Sequence, residues 1–146
     1  AFEIYENNFK EKFIALVGID KQGYTIASML KKELETISSM EVKLIQLTID
    51  KANPQQSEVQ IDCNLKEIKK RVVVLVDDVL NTGRTFVYGL KPFLSVELKK
   101  IETAVLVNRS HPHFPIYATY SGYELATTID DHVEVLLGKS MAVYLS

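Results

Sequence analysis

The sequence predicts an α/β fold, an open and mostly parallel twisted sheet flanked by helices. Three observations carry that expectation. Val72 to Val76 is a wholly apolar run, β-branched at all but one position, as a strand buried on both faces requires. Strand patterns alternate with helical ones along the chain, the signature of a layered sheet with crossover helices. The composition is that of an ordinary globular protein: 146 residues, 47% hydrophobic and 25% charged.

The elements follow in order. Ala1 to Lys10 reads as the end of a helix. Phe13 to Gly18 is an apolar run ending in Gly, a buried strand. Gly23 to Ser38 carries Ile26, Met29, Leu30, Leu34 and Ile37 at helical spacing, with Lys31, Lys32, Glu33 and Glu35 between them. Glu41 to Asp50 alternates through Val42, Leu44, Leu47 and Ile49 as a strand. Lys51 to Glu58, with Asn53-Pro54, is a loop. After the central strand at Val72, Thr85 to Leu98 is a helix interrupted at Pro92. Ile101 to Val107 is another strand, and Ile116 to Ser121, Val133 to Leu137 and Met141 to Leu145 are short later ones.

Composition also excludes. Disorder, collagen and coiled coil do not fit these proportions. Seventeen basic and nineteen acidic side chains give a formal charge of −2, which is no global nucleic-acid footprint. Cys63 is the single cysteine, so no intramolecular disulfide forms, and a reducing, cytoplasmic setting is expected. No apolar run is long enough to cross a bilayer, so no membrane partner is expected. Without an internal repeat or a Pro/Gly/Ser linker, residues 1–146 read as one domain.

Ligands of open parallel sheets bind beyond the C-terminal ends of the strands. Val72 to Thr85 reads VVVLVDDVLNTGRT: a strand delivers Asp77 and Asp78, then a turn of small and hydroxylic residues opens a helix. Amides at a helix start, with the hydroxyls of Thr82 and Thr85 and close approach at Gly83, suit a phosphate. Carboxylates repel a phosphate but accept hydrogen bonds from sugar hydroxyls. The ligand implied is a ribose 5-phosphate. A Walker A loop is excluded, because G-x-x-x-x-G-K-[ST] is absent from this turn. The turn Gly18 to Gly23, GIDKQG, taken alone is weak evidence for an anion loop, since such turns are usually just tight strand-to-helix connections. His111, His113 and His132 do not suggest a metal site, since Pro112 separates the first two and no carboxylates cluster with them. The run Lys66, Lys69, Lys70 and Arg71 reads as a solvated helix end. RNA contact there is open but not favoured, because Glu67 interrupts it and no aromatic interleaves.

Four apolar residues, paired acids and T-G-x-T resemble the signature of the type I phosphoribosyltransferases. The segment AVLVNRSHPHFPIYATYSGYEL, from Ala104 to Leu125, resembles the pyrimidine-operon attenuator proteins of PyrR type within that family, which double as uracil phosphoribosyltransferases. The resemblance implies that fold with a short hood. It implies transfer of ribose 5-phosphate from phosphoribosyl pyrophosphate (PRPP) to a nucleobase with Mg²⁺, and commonly a homodimer. The base is expected to be a pyrimidine, uracil. A purine-using enzyme, or a weakly catalytic regulator sensing nucleotide or PRPP and binding RNA, stays open.

By the same resemblance, Leu80, Asn81, Thr82, Gly83, Arg84 and Thr85 would hold the 5′-phosphate. Ile19, Asp20 and Lys21 would lie on the diphosphate. Asp77 and Asp78 would serve the ribose hydroxyls, Asp77 also reaching the metal through water. Asn108, Tyr120 and Ser121 would meet the base, Tyr120 by stacking as in the similar turn of hypoxanthine phosphoribosyltransferases. The sequence departs from the family at two places. Asp20 stands where related regulators commonly carry Lys. The hood, LTIDKANPQQSEV, is short and lacks Arg, which leaves Lys51 as the cation expected to offset charge on leaving pyrophosphate.

Overall fold

The computed structural model describes residues 1–109, 111–128 and 130–146. A six-stranded sheet forms the centre, in the order β3-β2-β1-β4-β5-β6. Its strands are β1 (Phe13–Ile19), β2 (Glu41–Thr48), β3 (Gln60–Ile61), β4 (Val72–Leu80), β5 (Lys100–Asn108) and β6 (Tyr120–Glu124). All neighbours are parallel except β2 and β3. Helix α1 (Phe2–Asn8) and the long α2 (Asp20–Ile37) pack on one face, and α3 (Arg84–Gly89) on the other. An antiparallel hairpin of β7 (Val133–Leu136) and β8 (Ala142–Leu145) completes the chain. Among the described residues no helix is long and apolar enough to cross a membrane.

The central strands explain the position of β4. Ile14, Leu16, Val72, Val74 and Val76 point into the core under α1 and α2, while Ala15, Val17, Val73 and Leu75 point into the opposite one. Both faces are covered, so polar residues would be left without partners there, and the apolar run follows. The chain runs outward from β1 to β2 on one side and from β4 to β5 on the other. The crevice beyond β1 and β4 is therefore the sheet's topological switch point.

Several expected boundaries move, each for a local reason. The predicted helix over Thr85 to Leu98 is only Arg84–Gly89, followed by a separate 3₁₀ turn at Lys91–Ser95. Pro92 has no amide to donate and starts that turn instead of continuing the helix. The predicted strand at Ile116 begins at Tyr120. Up to that point side chains take the place of the ladder: Thr103 N donates to Thr119 Oγ1 (3.1 Å), Thr119 N to Thr103 Oγ1 (3.0 Å), and Thr103 Oγ1 to Tyr117 O (2.6 Å). GIDKQG is not an open loop. β1 runs through Ile19 and α2 begins at Asp20. A Cβ at Gly23 would stand 2.4 Å from Val76 O, so only glycine lets α2 start this close to β4. The two-residue β3 and a 3₁₀ turn at Leu65–Ile68 were not legible, being too short for any periodicity.

Candidate active site at the switch point

Asp77 and Asp78 lie inside β4, three and two residues short of its end, and not at its terminus as the sequence implied. The β1 partners of β4 stop at Val76, while pairing with β5 continues through Val79 and Leu80. The two carboxylates thus stand where the crevice opens. Asp77 Oδ1 accepts from Asp78 N, and Asp78 Oδ1 from Val79 N, both at 2.9 Å.

Asp77 is 1% exposed. Lys51, from the segment after β2, donates to it at 3.2 Å (Oδ2) and 3.4 Å (Oδ1). Burial pushes the Asp77 carboxyl up to about 7; Lys51 opposes the rise and Asp78 adds to it. Burial alone would lower Lys51, but Asp77, Asp78 and Asp20 outweigh it and hold the ammonium above its ordinary range. One cation therefore faces three carboxylates at the crevice.

Asp20 opens α2 with φ 52°, a left-handed conformation that Asp tolerates better than most residues. Its Oδ1 accepts from Ile49 N at 3.1 Å. The carboxylate that would oppose a diphosphate is thereby tied to the end of β2. Lys21 next to it is exposed, while Ile19 is fully buried, so only the main chain of Ile19 remains for a ligand.

A pocket of about 210 Å³ is lined by Lys51 and residues 79–86. It brings together Leu80, Asn81, Thr82, Gly83, Arg84 and Thr85, the residues assigned to the phosphate. Gly83, at φ 87°, makes the turn into α3. Arg84 N donates to Thr82 Oγ1 (3.3 Å), and Thr82 O accepts from His113 N (2.9 Å) and Phe114 N (3.0 Å). The loop is thus braced from the segment after β5. Because α3 has only six residues, its dipole is weak. Any anion held here would rest on the loop amides and hydroxyls. A second cation joins the hood, which sequence reasoning gave to Lys51 alone: Arg84 Nη2 donates to Gln55 Oε1 at 3.0 Å.

The base end needs correction. Tyr120 is 7% exposed and sits at the first position of β6, paired with Ala104, away from the strand's C-terminal end. Its hydroxyl donates to Glu102 Oε2 (2.8 Å) and accepts from Asn8 Nδ2 (3.3 Å). It anchors α1 to the sheet and does not reach the crevice. Ser121 follows it in β6, with Oγ donating to Glu124 Oε1 at 2.5 Å. Asn108 does reach the site. It ends β5 opposite Leu80, donates to Glu124 Oε1 (3.3 Å), and lines a pocket of about 240 Å³ with Leu80, Asn81 and His111.

Sequence reasoning missed Arg109, which follows β5 and is 7% exposed. It also missed His111, whose Nε2 pairs with Thr127 Oγ1 at 3.0 Å. The available signal was a charged residue at the next step after a buried strand. Among the described residues no three His, Cys, Asp or Glu side chains converge as a metal cage. Asp77 and Asp78 could reach a metal only alongside oxygens brought by a ligand.

Residues 1–137 match the phosphoribosyl transferase domain family. The chain is 34% identical to the bifunctional protein PyrR of Fusobacterium nucleatum, covering 99% of this chain and 88% of that protein. It is 36% identical to the PyrR of Streptococcus thermophilus, over 93% and 80%. A hypoxanthine-guanine phosphoribosyltransferase from Bacillus anthracis superposes with a TM-score of 0.72 at 18% identity, over 90% of this chain and 74% of that one, a likeness of fold. The match over residues 1–137, joined to paired acids and a hydroxyl-lined pocket at the switch point, makes this chain a member of the phosphoribosyltransferase family.

Proposed function

We propose that residues 1–146 form one phosphoribosyltransferase domain that transfers ribose 5-phosphate from PRPP to uracil. The observation that carries the reading is the pocket over residues 79–86 beside Asp77 and Asp78. Amides and hydroxyls take the 5′-phosphate, and the carboxylates take the ribose diol. Asn108 faces the base edge, and Lys51 with Arg84 offsets charge on leaving pyrophosphate. Likeness to PyrR proteins favours a pyrimidine.

Mg²⁺ fits this site as an ion carried in by substrate oxygens, with Asp77 and Asp78 acting on its waters or on the diol. When bound, it would neutralise charge on the diphosphate. A homodimer in the cytoplasm belongs to the same reading.

Pyrophosphate release with PRPP, Mg²⁺ and each of uracil, hypoxanthine and guanine tests it. Uracil should give the highest rate. No release with any base, and no stabilisation by any nucleoside monophosphate, would overturn it. A second reading, a nucleotide sensor that contacts RNA, draws support from the ion pair that already commits Lys51 to Asp77. A salt-dependent RNA shift without transfer would favour it.

A further inference from the structure

A buried guanidinium needs an explanation, because burying a charge is costly unless it is paired and hydrogen-bonded. Arg109 is such a group. Among the described residues its Nε donates to Thr127 Oγ1 (3.0 Å), and its Nη2 to Thr128 O (3.2 Å) and Asp131 O (2.5 Å). The side chain spans from the end of β5 to the segment after β6 and collects main-chain oxygens there. The segment is closed from its own side as well: Asp131 Oδ2 accepts from Thr128 N at 2.7 Å, which with Arg109 nearby holds that carboxyl below its usual range.

The other end of Arg109 is fixed to the candidate site. Its amide donates to Leu80 O at 2.9 Å, extending the β4–β5 ladder by one step to the mouth of the phosphate loop. Thr127, one of its partners, also pairs with His111 Nε2, and His111 lines the pocket that Leu80, Asn81 and Asn108 share. The loop after β4, the strand end carrying Asn108 and the oxygens of Thr127, Thr128 and Asp131 thus meet at one residue, the first through its amide and the last three through its side chain.

We infer that Arg109 is a positioning residue for nucleobase recognition: it holds Thr127, Thr128 and Asp131, and through Thr127 the His111 that lines the pocket beside Asn108 where the base would bind. Its side chain is not part of the lining of the pocket over residues 79–86 assigned to the phosphate. Its effect is therefore confined to the base, and it acts through the turn it holds. Lysine cannot replace it, because a single ammonium cannot span a hydroxyl and two carbonyls that the planar fork reaches together. The inference rests on the transferase reading above.

The test is Arg109→Lys, assayed by steady-state transfer with uracil, hypoxanthine and guanine, and by hydrogen exchange of the Thr128 amide. KM for the preferred base should rise about 10-fold or more, and the preference between bases should shrink by a similar factor. KM for PRPP and kcat at saturating base should stay within about 3-fold. The Thr128 amide should lose protection while amides of β1 and β4 keep theirs. If Arg109→Lys does not fold, Thr127→Val removes one of the guanidinium's partners and the His111 contact, and the same split is expected at smaller size. An unchanged base KM and base preference in a wild type that does transfer would overturn the inference alone. So would equal losses for base and PRPP. A wild type that neither transfers nor binds any base or monophosphate overturns the transferase reading, and the inference with it.

Discussion

Lys51 Nζ lies 3.2 Å from Asp77 Oδ2, joining the exposed segment after β2 to a carboxylate buried in β4. The side chain expected to serve leaving pyrophosphate is therefore also the counter-ion of the buried Asp77 carboxylate. Lys51→Ala should slow transfer about 10- to 1000-fold, as loss of one charge-stabilising donor does. It should also push the Asp77 carboxyl further up. Monophosphate affinity should change little, and carboxyl infrared titration reads the second effect.

Asp77 gives the stability a pH dependence. Its folded carboxyl titrates near 7 against 3.8 in the free side chain, so folding favours its protonated form. That contribution is complete below about pH 4 and is lost as pH rises through about 7. Asp77→Asn mimics the protonated form. It should melt close to wild type at pH 4 and higher at pH 8, by about 2–8 °C for each 1 kcal/mol relieved. Calorimetry at the two pH values decides; a variant less stable at pH 8 would contradict the burial argument.

Thr85→Val keeps the shape of the phosphate loop and removes a hydroxyl. Nucleoside monophosphate affinity should fall about 10- to 100-fold, the size of one charge-assisted hydrogen bond. Free nucleobase binding should not follow. Isothermal titration of both ligands separates the two.

Asp78 is half-buried at the open edge of the crevice. Wild type should prefer UMP over its 2′-deoxy analogue by about 1–2 kcal/mol, and Asp78→Asn should lose most of that preference with a melting temperature within a few degrees. Equal wild-type affinity for the two nucleotides would remove the diol role.

Tyr120→Phe should cost about 1–3 kcal/mol of stability, because Glu102 Oε2 loses its phenol donor while Asn8 Nδ2 keeps Ile4 O and Glu102 Oε1. KM for the base should not move. Tyr120→Leu, which removes the ring, should also leave KM for the base unmoved; a base-specific loss in that variant would restore the stacking role that its sequence context suggested.

The sheet was legible because its central strands are buried on both faces, and an uninterrupted apolar run such as Val72 to Val76 has few other uses. The family and the turn into α3 were legible for a similar reason: paired acids followed by T-G-x-T combine several local demands in consecutive residues. The base end was not. Tyr120 followed by Ser121 and Gly122 looks locally like a turn, yet Thr103 and Thr119 delay the start of β6 and bring Tyr120 to the strand's first position. Arg109 and its turn lie 18 to 22 residues apart in the chain, a separation at which residue spacing carries no signal. Asp20 was legible only as a departure from the Lys common in related regulators, because its hydrogen bond to Ile49 joins residues 29 positions apart.

The polar knot of Asn8, Glu102 and Tyr120 sets an order of assembly. Asn8 reaches partners 94 and 112 positions away. Contacts of that span are the slowest to form, since the whole intervening chain must be closed into a loop first. During synthesis α1 cannot close its hydrogen bond to Tyr120 until β6 has emerged. Its outer residues Phe2 and Phe9, 67% and 61% exposed even in the finished fold, stay available to a chaperone throughout that wait.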